Sequence, residues 1–490
     1  MIPPNIGRRA GLTIGLLCCL CISCSDDREG SLLVCEDLQW SAEDRARNVI
    51  LIVNDTMRRD RMTPYGGPAR TPAFDAFARQ HLLFEQGYTQ SPWTRPSMAT
   101  LFTSLYPSQH GVMTHPKPPT GETLRLELLS SSVTTLAETL NDAGYRTAAF
   151  VANPWMRRGF GFEQGFEVYD DSFAAWDTPG SSVSRAGQEW LDGIRPEERF
   201  FLYLHYMDSH RPYPPLSRWE ILTAAERLRG DDRPLTEEAG SEILEIVHLA
   251  EGIPAAATGI PASVALAELA YDGGIEQFDR ALGQFLERLA TREAYADTAI
   301  VVTSDHGEAL YDRGYGNHGN GLYDDELGVP LAARLPGVTA GAPPVRCPLG
   351  LIDLMPTLCS YLDIACPAPT FGVSLLERTR SDEDVRYVVT EGVAHKPANR
   401  AIRDSVHKLL WQPQPGPDGK GHALFDYRED PRESHDLLAV AERTTETEEV
   451  LGRLSRALRE AIPEFATPEA GSEALSPQEI ERLRSLGYLD

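Results

Sequence analysis

The sequence predicts an α/β fold: a mixed, mostly parallel sheet flanked by helices, followed by a smaller C-terminal α+β subdomain. Two observations carry the first part. Continuous apolar runs that end in polar residues recur along the 490 residues, and helical patterns separate them. A strand that is apolar throughout is buried on both faces, as in a parallel sheet covered by helices. The third observation is a change of texture near residue 385, where short alternating stretches replace the long runs.

The first run is NVILIVND, residues 48–55, and RTAAFVAN (146–153), RFFLYLHYMD (199–208) and TAIVVTSD (298–305) repeat its form. Between them, SSVTTLAETLNDAG (131–144) and IEQFDRALGQFLERLA (275–290) have helical spacing, and Gly144 stops the first. Residues 216–265 mix helical and Pro/Gly-bearing stretches and read as an insertion within a main domain spanning 47–380. In 381–490, VRYVVTEG, NRAIRDSVHKLLWQ and HALFDY read as short antiparallel strands, and TEEVLGRLSRALREAI as a helix. The final SPQEIERLRSLGYLD opens with Ser476-Pro477, a good N-cap and first-turn pair.

Residues 1–24 read as an export signal. Arg8 and Arg9 precede an apolar run from Leu12 to Ile22, too short to span a bilayer comfortably. Ser23-Cys24 followed by SDD resembles a bacterial lipobox, with Cys21 where leucine is usual. A lipoprotein anchored at Cys24 is the leading expectation, against ordinary secretion or a retained anchor. The paired arginines also admit a twin-arginine signal. Residues 25–46 form a polar linker. Of eight cysteines, Cys35, Cys347, Cys359 and Cys366 remain in the mature chain, without CxxC-type metal spacing. Cys359 with Cys366 is one candidate disulfide.

A net charge of −26 and a pI near 4.9 exclude nucleic acid or an anionic membrane face as partners attracted by charge. An anionic substrate would need local cations, and a metal is the economical source. The chemistry collects where open parallel sheets bind ligands, beyond the carboxyl ends of the strands. There stand Asn54-Asp55-Thr56, Asn153, Asp208-Ser209-His210 and Asp305-His306. A lone Asp after a strand is usually a helix cap, but four such ends on one rim make a site. SPWTRPSMATLFTS places Thr94 just before a helix N-terminus, where free N–H groups and the dipole favour an anion. Thr94 could alternatively just cap that helix.

These stretches resemble the sulfatase branch of the alkaline phosphatase superfamily over essentially the whole mature length. The resemblance rests on NVILIVNDTMRRDRMTPYGGPARTPAFDAFA, SPWTRPSMATLFTSLYPSQHGV, LHYMDSHRPYPP, TSDHGEALYDRGYGNHGNGLYDDELGVPL, LFDYREDPRESHDLLA and the terminal LSPQEIERLRSLGYLD. It implies an α/β/α catalytic domain, a four-stranded C-terminal subdomain, and a metal in front of a nucleophile. By position, Asp55, Asp305 and His306 match metal ligands, with Thr56 where many members have a second Asp. Thr94 matches the nucleophile, normally a cysteine oxidised to formylglycine, and also reaches the metal. His210 and His318 match groups near the leaving oxygen. Carboxylate, imidazole and alkoxide ligands suit one divalent ion, Mn²⁺ or Zn²⁺ ahead of Ca²⁺ or Mg²⁺.

Threonine changes the chemistry that this resemblance implies. A formylglycine hydrate has one hydroxyl to attack and a second to expel sulfate, whereas threonine has one only. A phosphorylated threonine can be released by in-line water attack beside a metal. Met98 stands where the family's Cys-x-Pro-x-Arg pattern has arginine, and FVANPWMRRGFGF occupies the place of the sulfate-gripping Gly-Lys-Trp-His segment. Asn153 could contact substrate there; Arg157 and Arg158 could supply charge or simply be solvated. His205, inside a strand, reads as core, and His110 as packing or support behind the site.

Three functions follow. The first is an exported metal-dependent hydrolase or transferase of phosphate or phosphonate esters on small molecules, glycans or lipid headgroups. The second is a sulfuric ester hydrolase. The third is a non-catalytic metal-dependent binder of anionic glycans or headgroups, which the joint presence of Asp55, Asp305, His306 and His318 opposes.

Overall fold

The computed structural model describes residues 41–113, 125–174, 178–213, 261–338, 344–346, 348–376, 386–393, 396–413, 421–462 and 472–474, together with Leu38. The export signal, most of the linker, most of the 216–265 insertion and the helix expected at 476–490 lie outside the described residues.

An eight-stranded sheet runs in the order Leu349–Gly350, Leu82–Tyr88, Gly328–Arg334, Thr298–Ser304, Asn48–Asn54, Phe200–Tyr206, Arg146–Val151, Val168–Asp170. Asn48–Asn54 pairs in parallel with Thr298–Ser304 and Phe200–Tyr206, and parallel pairing continues through the last two strands. Gly328–Arg334 is antiparallel to both its neighbours. The sheet is mixed and mostly parallel, as the apolar runs predict.

Period-2 alternation assigns each side chain of the central strand to one of two helical layers. Val49, Leu51 and Val53 pack with Met98, Leu101 and Phe102 of the helix Thr94–Thr103 and with Leu136 and Leu140 of the helix Leu136–Asp142. Ile50 and Ile52 face the opposite layer, against Phe74 and Phe77 of Pro72–Gln80 and Ile275, Phe278 and Leu282 of Pro261–Ala290. At about 1.5–3 kcal/mol per fully buried large side chain, these two layers hold the strand ends in register. The helix Leu136–Asp142 starts where its capping box demands. The Thr135 hydroxyl accepts from the Glu138 N–H at 3.1 Å, and the Glu138 carboxylate accepts from the Thr135 N–H at 2.8 Å.

A separate antiparallel sheet follows in the order Val388–Val393, Lys396–Arg403, His407–Trp411, Ala423–Asp426. On one face Val389, Ile402, Leu409 and Leu424 pack against Val450, Leu454 and Leu458 of the helix Thr445–Ala461. On the other, Ala401, Leu410 and Phe425 pack against Leu322, Tyr323 and Leu327. That segment follows His318 directly, so the small sheet braces the loop that carries it.

Cys359 and Cys366 are thiols in hydrogen-bond contact, while Cys35 and Cys347 fall outside the described residues. Among the described residues no helix is long and apolar enough to cross a membrane.

Candidate active site

Four parallel strands and one helix deliver the site. Asp55 follows Asn48–Asn54, Asp305 and His306 follow Thr298–Ser304, Asn153 follows Arg146–Val151, and His210 follows Phe200–Tyr206. Thr94 is the first residue of the helix Thr94–Thr103 rather than the residue before it. Asp55, Thr94, Asp305 and His306 are all buried, at 0–1 % exposure.

Asp55, Asp305 and His306 each offer a ligand atom within 4.8 Å of the others. The hydrogen bonds divide each carboxylate into a held oxygen and an open one. Asp305 Oδ1 accepts from the N–H groups of Thr56 (3.1 Å) and His306 (2.9 Å), while Oδ2 has no hydrogen-bond partner. Asp55 Oδ2 accepts from Asn153 Nδ2 and lies 3.1 Å from His205 Nε2, while Oδ1 has no hydrogen-bond partner. The His306 Nδ1–H donates to the Gly307 carbonyl at 2.8 Å, which leaves the Nε2 lone pair toward Asp305 Oδ2, 3.3 Å away. Thr94 Oγ1 stands 3.2 Å from that same nitrogen and 3.4 Å from Asp55 Oδ2.

Two buried carboxylate oxygens without donors would cost several kcal/mol if left so. Their convergence with an imidazole lone pair and a hydroxyl is the donor set of a divalent cation. The charges agree. Burial would push the Asp55 carboxyl up, but the bond from His205 and the surrounding histidines hold it well below the usual range. Asp305 is raised, by burial and then by Asp55 beside it. A cation answers that repulsion.

Two more histidines stand beside this cluster. The His318 ring lies 4.5 Å from His306 and 5.2 Å from His210, centroid to centroid. His318 Nδ1 is 2.7 Å from Glu308 Oε2, and Glu308 Oε1 accepts from the Tyr213 hydroxyl at 3.0 Å. Burial disfavours a charged His318, yet Glu308 outweighs it and holds the imidazole above its ordinary value. Glu308 correspondingly sits at about 2: burial pushes it up, and His318 more than reverses that. Burial sends His210 the other way, down to about 4, so the two neighbouring imidazoles are shifted in opposite directions.

The supporting loops are tightly specified. Gly307 has no substitute, since a Cβ there would stand 2.1 Å from the Asp325 carbonyl oxygen. The Glu326 carboxylate accepts from the N–H groups of Asn320 (2.9 Å) and Gly321 (2.7 Å) and from the Tyr315 hydroxyl (3.1 Å), clamping the His318 loop from both sides.

Two residues depart from expectation. Thr56, expected among the metal ligands, commits its hydroxyl to the Asp55 carbonyl oxygen at 2.8 Å. It serves through its backbone instead: a left-handed φ of 56° turns its N–H onto Asp305. That conformation is strained for a β-branched residue, and the 2.5 Å bond from the Tyr271 hydroxyl to its carbonyl helps to hold it. Asn153, expected to contact substrate, is wholly buried and holds the protein's own groups, Asp55, Thr94 and the Trp155 N–H.

Sequence reasoning missed two others. His205 is part of the site rather than core: residues 201, 203 and 205 share the face toward the helix of Thr94, and strand parity alone carried that signal. Glu308 stands two residues beyond His306, and nothing before folding pairs it with His318. His110 is packing, between Thr100 Oγ1 and the Val112 N–H. The Arg158 guanidinium is engaged with the Tyr169 carbonyl, and Met98 lies in the core.

The model of the family described as Sulfatase matches residues 47–364. The chain belongs to the sulfatase family. It is 23 % identical over 468 residues to an arylsulfatase of Clostridium perfringens (strain 13 / Type A), covering 80 % of this chain and 90 % of that one. A solved 2-O GAG sulfatase superposes with a TM-score of 0.64 at 20 % identity, covering 85 % of this chain and 92 % of the other. The phosphonate monoester hydrolase of Agrobacterium radiobacter superposes with a TM-score of 0.63 at 21 % identity, covering 88 % and 100 %. This sulfatase-family chain is therefore an ester hydrolase of the phosphoric or sulfuric class. The family depends on a metal, and the buried Asp55–Asp305–His306 cluster fits one.

Metal binding has a direct thermodynamic consequence. A divalent ion supplied at 100 times its Kd is expected to stabilise the fold by about 2.7 kcal/mol. Thermal denaturation should show a rise in Tm that a chelator reverses. Asp305→Asn should remove most of that rise.

Proposed function

We propose that this chain is an exported, metal-dependent hydrolase of phosphate or phosphonate esters, working through Thr94. The observation that carries the reading is the Thr94 hydroxyl, 3.2 Å from His306 and 3.4 Å from Asp55 at a helix N-terminus. Thr94 stands in for the formylglycine-forming cysteine. With a single hydroxyl, a sulfated threonine would have to wait for water, whereas a phosphorylated one has a well-used exit.

When bound, the ion supplies positive charge to the phosphoryl oxygens and lowers the pKa of a coordinated hydroxyl. Thr94 attacks phosphorus, and Asp55 and Asn153 hold its oxygen in line. His318, kept charged by Glu308, protonates the departing alcohol, with the neutral His210 alongside. Water then releases phosphate, or an acceptor alcohol takes the group. Mn²⁺ or Zn²⁺ suits the nitrogen of His306 better than Ca²⁺ or Mg²⁺. The organic half belongs to a small molecule, a glycan or a lipid headgroup, met at the periplasm or cell surface from an anchor at Cys24.

Aryl phosphate, aryl phosphonate and aryl sulfate assayed side by side with Mn²⁺, Zn²⁺, Ca²⁺ and Mg²⁺ test the reading. A phosphoryl ester is expected to give the highest kcat/KM. Faster cleavage of the sulfate would overturn it in favour of a sulfuric ester hydrolase. Turnover of no ester with metal bound would favour a binder.

Glu308→Gln gives a pH signature. The general acid works while protonated, so kcat/KM falls as pH rises through the His318 pKa. Glu308 raises that pKa, so its neutral replacement should move this basic limb to lower pH. An unmoved limb would remove His318 from the acid role.

A further inference from the structure

Asp55 is wholly buried, and which of its oxygens stays open is decided by its neighbours. Oδ2 is held from three sides: by Asn153 Nδ2, by His205 Nε2 at 3.1 Å, and by the Thr94 hydroxyl at 3.4 Å. His205 is itself fully buried and belongs to the strand Phe200–Tyr206. Its other nitrogen, Nδ1, lies 2.5 Å from the hydroxyl of Tyr203, two residues back on the same face of the strand. Tyr203 is pinned in turn by ring contacts with Phe102, at 5.1 Å, and Phe166, at 6.2 Å.

Donor and acceptor counting orders this chain. An ionised carboxylate only accepts, so His205 Nε2 carries the proton. The other ring nitrogen, Nδ1, shares its hydrogen bond with the Tyr203 hydroxyl. Tyr203, His205 and Asp55 thus form a hydrogen-bonded relay ending on Oδ2. Oδ1 is left facing His306 Nε2, 3.8 Å away, without a hydrogen bond of its own.

We propose that His205, oriented by Tyr203, is a positioning residue that sets the rotation of the Asp55 carboxylate. It holds Oδ2 beside the Thr94 hydroxyl and keeps Oδ1 open for the cation. The inference rests on the reading of Asp55, Asp305 and His306 as a metal site, and it adds the partner that makes Asp55 a one-oxygen ligand. Groups of this kind, which orient a metal ligand without touching the ion, change metal affinity by about 10–100-fold when removed.

The test is Mn²⁺ binding to the full chain, measured by calorimetry on wild type, His205→Leu, His205→Gln and Tyr203→Phe, with Tm recorded for each. Glutamine places an N–H donor near the position of Nε2, so it should keep most of the affinity. Leucine should weaken Mn²⁺ by about 10–100-fold. Tyr203→Phe should lose affinity in the same direction and by less, because the ring stays in place but is no longer oriented. Rescue by glutamine separates positioning from packing, since leucine fills a core site at least as well. If His205→Leu does not fold, a glutamine variant that folds yet binds no better than about 100-fold below wild type overturns the proposal. Wild-type affinity in a folded His205→Leu overturns the relay alone. No Mn²⁺ binding by the wild type overturns the metal reading and the relay together.

Discussion

Thr94→Ala is expected to lower kcat on the best ester by about 10³-fold or more, the usual cost of deleting a nucleophile. Mn²⁺ content should persist, because Asp55, Asp305 and His306 remain in place. Thr94→Ser should retain measurable turnover, since it keeps the hydroxyl and loses only a methyl group. Steady-state kinetics with metal analysis of the same preparations checks both points. Full activity in the alanine variant would leave the ion to activate water directly, and the nucleophilic reading would fall. The geometry makes the demand sharp: Thr94 Oγ1 lies within 3.4 Å of Asp55, His306 and Asn153 together.

The second large effect lies where the C-terminal sheet meets the loops of the site. Lys408 is fully buried, with its ammonium 2.8 Å from Asp324 and 2.5 Å from Glu433. Asp324 also meets Arg59 at 3.1 Å and Arg403, but among the described residues the one other ion pair of Glu433 is with Arg313, 3.7 Å away. Lys408→Met fills the same space and removes the charge. It should cost about 3–5 kcal/mol, the range for breaking a buried pair and leaving one partner uncompensated. Urea unfolding at fixed metal concentration reads this as a lower midpoint with an unchanged slope. A loss under about 1 kcal/mol would show that water or Arg313 reaches Glu433. The Glu433 carboxylate also accepts from the Asp324 N–H at 2.8 Å, two residues before the Glu326 clamp. The variant should therefore lower kcat as well, through the His318 loop.

Much of this was legible before folding. The runs at 48–55, 146–153, 199–208 and 298–305 announce buried parallel strands because only a strand covered on both faces is apolar at every position. Asp55, Asp305, His306 and His210 stand out because polar chemistry at the carboxyl ends of such strands meets on one rim, Thr94 because it stands at the start of a helix, and His318 only through the resemblance to the sulfatases. The sequence also carries the parity that places His205 beside Tyr203, but parity does not tell a core histidine from one aimed at a carboxylate. Thr56 and Asn153 were found as site residues with other roles, because a residue type does not show whether its side chain or its backbone does the holding.

By itself, then, the sequence determined the strand runs, the ligand types and the single hydroxyl at position 94, all of them local or periodic properties. Only the tertiary structure decided how Asp55 and Asp305 each keep one oxygen bonded and one open. It also decided that Glu308 stands against His318, and that Lys408 from the small sheet bridges Asp324 and Glu433. The reason is physical. Hydrogen bonds and ion pairs between residues from 10 to 249 positions apart depend on which surfaces the packed core brings into contact, and no local pattern encodes that.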